Sequence, residues 1–212
     1  MATSQNARTG PPQRKTAVVG IGVSRITDFP EFIIDEFVEA MRADEPAIEV
    51  RAHGSHFAGL EWLMPTAVVL YVTHVFFAAM ISEAGKDAYK RLKTATLSLH
   101  HKAQRQGVSR IGSSGKLQAS ISYSPIFSIL VPTRDELTFK FLIQPDLSEE
   151  EASEALDAFF YLIESYFAGS ITPETLARLE STRCVGRTLL LAYDFSSHTI
   201  VGVDPMPAGP HH

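Results

Sequence analysis

Between Glu61 and Glu83 the chain runs for twenty-one residues, WLMPTAVVLYVTHVFFAAMIS, without one Asp, Glu, Lys or Arg. A run of that length constrains the fold more than any other feature, because its backbone and side chains must be kept from water in one of three ways. About 20 apolar residues cross a bilayer as a helix. Trp62 at one end and the Lys/Arg cluster that begins at Lys86 would then act as interfacial anchors. A helix that is apolar all round can instead lie at the centre of a soluble fold. The third solution is a buried strand over the β-branched AVVLYV, followed by a helix from about His74.

Two observations weigh against a permanent span. The basic flank is C-terminal to the run, so the positive-inside tendency would export an acidic β-α-β unit that carries no signal-peptide pattern. Thr66, Thr73 and His74 also interrupt the apolar character. The working expectation is one long, very apolar central helix over 62–82, with membrane insertion as its competitor.

The rest of the chain reads as an ordinary folded protein. At 212 residues, 45% hydrophobic and 20% charged, it has the composition of a globular chain with room for one large domain or two smaller ones. The single cysteine, Cys184, excludes an intramolecular disulfide and gives no sign of an oxidising compartment, so a cytoplasmic protein is expected.

Charge is segregated along the chain. From Ala88 to Arg134 there is no acid and there are eight bases; from Asp135 to Glu164 there are nine acids and the lone base Lys140. Either the two segments face each other or lie on solvated faces, or the basic one meets anionic lipid, nucleic acid or an acidic partner.

Periodicity and punctuation divide the chain into elements. KTAVVGIGV (15–23) predicts a strand, and TDFPEFIIDEFVEAMRA a helix. Asp28 is its expected cap, Glu31 completes a capping box, and Phe29, Ile33, Phe37 and Met41 form one apolar face. AIEVRAH predicts a second strand. After the apolar run, AGKDAYKRLKTATLSLHHKAQRQ continues as an amphipathic helix, with Ala84, Ala88 and Leu92 opposite the lysines. GVSRIGSSGK breaks it. LQASISY, IFSILV and LTFKFLI then predict antiparallel strands. Ser148 and Glu151 form a capping box for a long helix that Gly169 stops, Thr172-Pro173 opens a short one, and RTLLLAY and HTIVGVD form a hairpin across DFSS.

The expected fold is α+β: an N-terminal β-α-β unit, the long apolar helix, and a C-terminal antiparallel sheet packed by two helices. Its boundaries are a tail over 1–14, the β-α-β unit over 15–56, the apolar and then basic helix over 57–107, the antiparallel α+β part over 108–204, and a tail over 205–212.

Catalytic signatures fail on inspection. Gly20-x-Gly22 follows a strand, but Arg25 stands where a dinucleotide loop needs its third glycine, and the expected cap at Asp28 would repel phosphate. RIGSSGKL lacks both the first glycine and the final Ser/Thr of a phosphate loop. His53 and His56 have chelating spacing, but no third or fourth ligand is selected, so no metal or other cofactor is assigned. His74 is expected as a hydrogen-bonded core residue, and His100-His101 as a pH-sensitive extension of the basic face. Cys184 has Arg183 and Arg187 nearby but no assignable histidine.

With no catalytic constellation, the sequence favours a non-enzymatic interaction or effector module whose apolar helix packs on a partner, self-associates or enters an anionic membrane. Trp62, Leu70, Val75, Phe76 and Phe77 would make the apolar contact, and Lys86, Lys90, Arg91 and Lys93 the basic flank. The alternatives are a small-molecule enzyme whose site only the fold assembles, and a nucleic-acid binder through 88–134, which the acidic overall charge of -5 disfavours.

Overall fold

The structure, a computed structural model, describes residues 20–42, 47–53, 67–74, 76–77, 83–106, 126–133, 136–144, 146–184 and 186–204. Seven strands form one mixed sheet: β1 (Gly20–Ile26), β2 (Ala47–His53), β3 (Val68–Val72), β4 (Phe127–Pro132), β5 (Thr138–Leu142), β6 (Thr188–Asp194) and β7 (Thr199–Gly202). Their order is β2-β1-β3-β4-β5-β6-β7. Neighbours alternate between parallel pairs (β1-β2, β3-β4, β5-β6) and antiparallel ones (β1-β3, β4-β5, β6-β7). Each parallel pair requires a crossover, and helices supply it: α1 (Glu31–Met41), α2 (Glu83–Arg105), and α3 (Glu149–Ala168) with α4 (Pro173–Ser181).

The expectation of a mixed α and β protein holds, but the sheet is more extensive than the sequence reading had it. The C-terminal strands are not a separate antiparallel sheet. β5 and β6 run parallel because α3 and α4 intervene, and β4 joins this half to β3 of the N-terminal half.

The single long helix over 62–82 is overturned as well. Val68–Val72 is the inner strand β3, hydrogen-bonded between β1 and β4, and helical geometry resumes at residue 74. The misleading signal has a clear physical origin. Val68, Leu70 and Val72 are buried on one face and Val69 on the other, so both faces of β3 are covered except at Tyr71. A strand buried on both faces loses the period-2 alternation that would distinguish it from an all-round apolar helix.

Helix α1 starts at Glu31 with Pro30 as its N-cap and no side-chain cap, so the box expected on Asp28 is not formed. Arg25 takes over the turn instead. Its guanidinium donates to the carbonyls of Thr27 (3.0 Å) and Phe29 (3.1 Å) and pairs with Glu31. Helix α3 follows the local rules closely. Ser148 and Glu151 exchange both capping-box bonds, and Gly169 closes the helix at φ 68 in the left-handed region.

All three crossovers lie over one face of the sheet. Register places Phe127, Ile129, Phe139 and Phe141 on a common face; His100 of α2 packs on Phe127 and Phe159 of α3 stacks on Phe141. Tyr89 of α2 packs edge-on against Phe160 of α3, Phe77 ahead of α2 meets Phe160 and Phe167, and α1 packs beside α2. The steps β1→β2 and β3→β4 are related by an in-plane half-turn and share a hand. The step β5→β6 over the same face has the opposite hand, so the three crossovers cannot all follow the right-handed rule. That reversal sets α3 beside α2.

Candidate interaction surface

The helix layer is ordered α1-α2-α3, and its charges are striped in the same order. Helix α1, EFIIDEFVEAM, has four acids and no base. Helix α2, EAGKDAYKRLKTATLSLHHKAQR, has six bases against two acids. Helix α3, EEEASEALDAFFYLIESYFA, has six acids and no base. Two ion pairs stitch the stripes together: Lys102 of α2 pairs with Glu36 of α1, and Lys93 of α2 donates to Asp157 of α3 at 2.6 Å. Tyr89 adds a second bond to Asp157 at 2.8 Å. Burial, followed by that bond to a carboxylate, pushes the Tyr89 phenol well above its ordinary value.

The basic segment is thus partly neutralised within the molecule, and Asp157 with it, while α3 as a whole remains strongly acidic. Glu150, Glu154, Asp157 and Glu164 are exposed along one side of that helix. Among them stands Tyr161, at 72% the most exposed of the large apolar side chains described; Phe32 on α1, at 57%, is next.

Where α3 meets the β6-β7 hairpin, a polar cluster ties the two. Tyr193 donates to Glu154 at 2.6 Å, and His198 Nδ1 lies 2.8 Å from the same oxygen. The hydrogen bonds from Tyr193 and then His198 hold the Glu154 carboxyl below its usual range, while burial and Glu154 push the Tyr193 phenol up to about 12. His198 adopts φ 51 at the end of the hairpin turn, and Asp194 accepts from Ser196 and Ser197 across it. This arrangement fixes the hairpin onto the helix. The imidazole is 70% exposed, so no enclosed site surrounds it.

Buried polar groups form a second set. His100 is 0% exposed and, among the described residues, neither ring nitrogen has a hydrogen-bond partner; Thr96, one turn earlier on α2, is equally buried, and its hydroxyl likewise has none among them. Burial, with a smaller push from His101, lowers the His100 pKa to about 4. Lys140 sits on the sheet face away from the helices at 4% exposure, and burial lowers its pKa to about 8.

The residues singled out from sequence are scattered by the fold. Leu70, Phe76 and Phe77 are buried in the core, so their apolar surface is used within the chain. Trp62 and Val75 lie outside the described residues. Lys86 and Lys90 are exposed, Arg91 is half-buried, and Lys93 is bonded to Asp157. His74 is exposed against Phe167, not a hydrogen-bonded core residue; His100 is core, not an extension of the basic face. Cys184 is exposed. His56, the glycine-rich 107–116 and the strand expected over 117–123 lie outside the described residues. Among the described residues no group of three or more His, Cys, Asp or Glu could hold a metal ion, and no helix is long and apolar enough to cross a membrane.

Sequence reasoning missed Tyr161 and the Glu154-Tyr193-His198 cluster, and it placed the buried His100 on the basic face. Tyr161 was legible in principle: it falls between the core positions of α3 and on the same side as Asp157 and Glu164. The cluster was not, since it joins residues 39 and 44 positions apart. No family model, characterised protein or solved structure matches the chain.

Proposed function

We propose that the chain is a cytoplasmic, non-enzymatic interaction module, and that the outer face of α3 receives a basic segment of a protein partner. The observation that carries this reading is Tyr161. It is a large amphipathic ring held out from a rigid, well-capped helix, with Asp157 and Glu164 on the same side. Exposed tyrosines on rigid elements are favoured anchors at interfaces, and one set in an acidic field suits Lys or Arg through both ion pairing and contact with the ring face.

The charge balance of the layer supports the same partner chemistry. The bases that dominate the sequence from 88 to 134 include Lys93 and Lys102, which are bonded to carboxylates of neighbouring helices. That speaks against nucleic acid or an anionic membrane as the target of this face. The α3 acids face outward with fewer internal cations to meet them.

The test is fluorescence anisotropy of the full chain with a labelled Lys/Arg-rich peptide. Affinity should fall with added salt. Tyr161→Ala should weaken it about tenfold or more while leaving the thermal midpoint in place. Binding that ignores both Tyr161→Ala and a Glu150→Lys/Glu164→Lys double variant overturns the reading.

A further inference from the structure

The exposed stripe of α3 runs through Glu150, Glu154, Asp157, Tyr161 and Glu164 at steps of three and four residues. Its acids are held by different chemistry. Asp157 meets the ammonium of Lys93. Glu154, one turn earlier, meets a phenol and an imidazole: Tyr193 donates to it at 2.6 Å, and His198 Nδ1 lies 2.8 Å from the same oxygen. An ionised carboxylate only accepts, so Nδ1 carries the hydrogen and Nε2 is left to take a second proton. The hydrogen bonds from Tyr193 and then His198 hold the Glu154 carboxyl below its usual range. The carboxylate therefore stays ionised across the interval of about pH 5 to 8 in which imidazoles change charge. The ring is also held in place. His198 sits at φ 51 in a turn that Asp194 closes by accepting from Ser196 and Ser197, and its ring lies edge-on to Tyr193. The charged and titratable groups around it are Glu154 of α3, with Glu150 and Asp157 a turn to either side, Tyr193 and Asp194 of β6, and Arg178 of α4, which reaches the adjacent Thr199 at 3.4 Å.

We propose that His198 makes partner binding at α3 depend on pH: its protonated ring neutralises Glu154 and competes with the basic segment for that carboxylate, so the partner is held at neutral pH and loosened on acidification. This inference rests on the binding role proposed for α3 above and adds its regulation. Glu154 lies two turns from Tyr161 on the same side of the helix, about 10 Å along the axis. A chain anchored on the tyrosine ring therefore brings a lysine or arginine to Glu154 within about three residues of extended backbone. While the imidazole is neutral, the carboxylate offers that cation its full charge. With an imidazolium at 2.8 Å, the incoming cation must displace it or sit beside a like charge. An exposed ion pair contributes about fivefold to affinity at most, so His198 tunes the site, and Tyr161 with the remaining acids keeps a weaker one.

The experiment is fluorescence anisotropy of the full chain with a labelled Lys/Arg-rich peptide that contains no His, Asp or Glu, at about pH 7.5 and about pH 5.5 and constant ionic strength. Affinity should fall about fivefold at the lower pH. His198→Asn, whose side chain tolerates left-handed backbone and takes no proton, should bind equally at both. Glu154→Gln should begin about fivefold weaker and change little with pH. His74→Gln, which removes the exposed imidazole packed on Phe167 toward the other end of α3, should leave the pH dependence in place. Should His198→Asn fail to fold, calorimetry of the unsubstituted chain in two buffers of different ionisation enthalpy decides: by reciprocity, peptide binding at about pH 6 should release protons, and no release overturns the inference. Binding that needs Tyr161 but keeps its pH dependence in His198→Asn, or shows none in the unsubstituted chain, overturns this inference and spares the reading of α3. No binding at either pH overturns both.

Discussion

Lys93 on α2 donates to Asp157 on α3 across 2.6 Å, joining the basic and acidic stretches of the sequence in one contact. The lysine side chain is 20% exposed and the aspartate 50%, so screening limits the pair to about 0.5–1 kcal/mol in a double-mutant cycle. Asp157 also accepts from Tyr89, and Asp157→Asn should therefore bring the Tyr89 phenol back toward its ordinary pKa. An ultraviolet tyrosine titration of the variant checks this. A phenol that titrates as in the unsubstituted protein would show that burial alone sets it.

His100 predicts an acid limit to stability. The buried ring stays neutral down to about 4, while in the unfolded chain it protonates near 6.5. Between those values the unfolded state binds the extra proton, so stability falls as pH drops from 6.5 to 4, by at most ~1.4 kcal/mol per unit for one group. His100→Leu removes two buried nitrogens that have no partner among the described residues and should flatten that part of the profile. Urea melts of both proteins across the window measure the difference directly. Parallel profiles would mean that His100 gains a proton acceptor or water access on folding.

Lys140 predicts the opposite end of the scale. Burial lowers its pKa from 10.5 to about 8, so above 8 the folded state gives up a proton that the unfolded state keeps to 10.5. Stability should rise through that window, because neutralising the amine removes the burial penalty. Lys140→Met should lack the rise. Denaturation of the two proteins between neutral and alkaline pH compares the slopes, and equal slopes would refute the assignment.

What could be read from the sequence was what neighbouring residues decide among themselves. Ser148, Glu151 and Gly169 define α3 through bonds no more than a turn or two long, and the hairpin between β6 and β7 is closed by its own turn. Asp28 is displaced as the cap by a neighbour that its own turn did not reveal: Arg25, near the end of β1, binds the carbonyls of Thr27 and Phe29 and pairs with Glu31. The position of α3 is less local still. Nothing in its sequence states that its crossover reverses hand, yet that reversal creates the Lys93-Asp157 contact and the striped surface on which the functional reading rests. Tyr161 lay in plain view on the helical wheel but acquires meaning only once its neighbours across the layer are known.

The segment that began the reading, Trp62 to Ser82, carries its own decisive test in two adjacent residues. In β3, Leu70 faces the helices and is fully buried; Tyr71 faces the other way, lies against Gly22 and is 39% exposed. On a helix the two positions would differ by about 100° and in a bilayer both would meet lipid. In a strand they differ completely. Leu70→Ala should cost about 2–5 kcal/mol, and Leu70→Lys should abolish the folded state, since an unpaired charge would enter the core. Tyr71→Lys should leave a folded protein with a modestly lower thermal midpoint. Equal tolerance of lysine at both positions would contradict the strand, whereas the expected contrast keeps Val68–Val72 as an inner strand between β1 and β4.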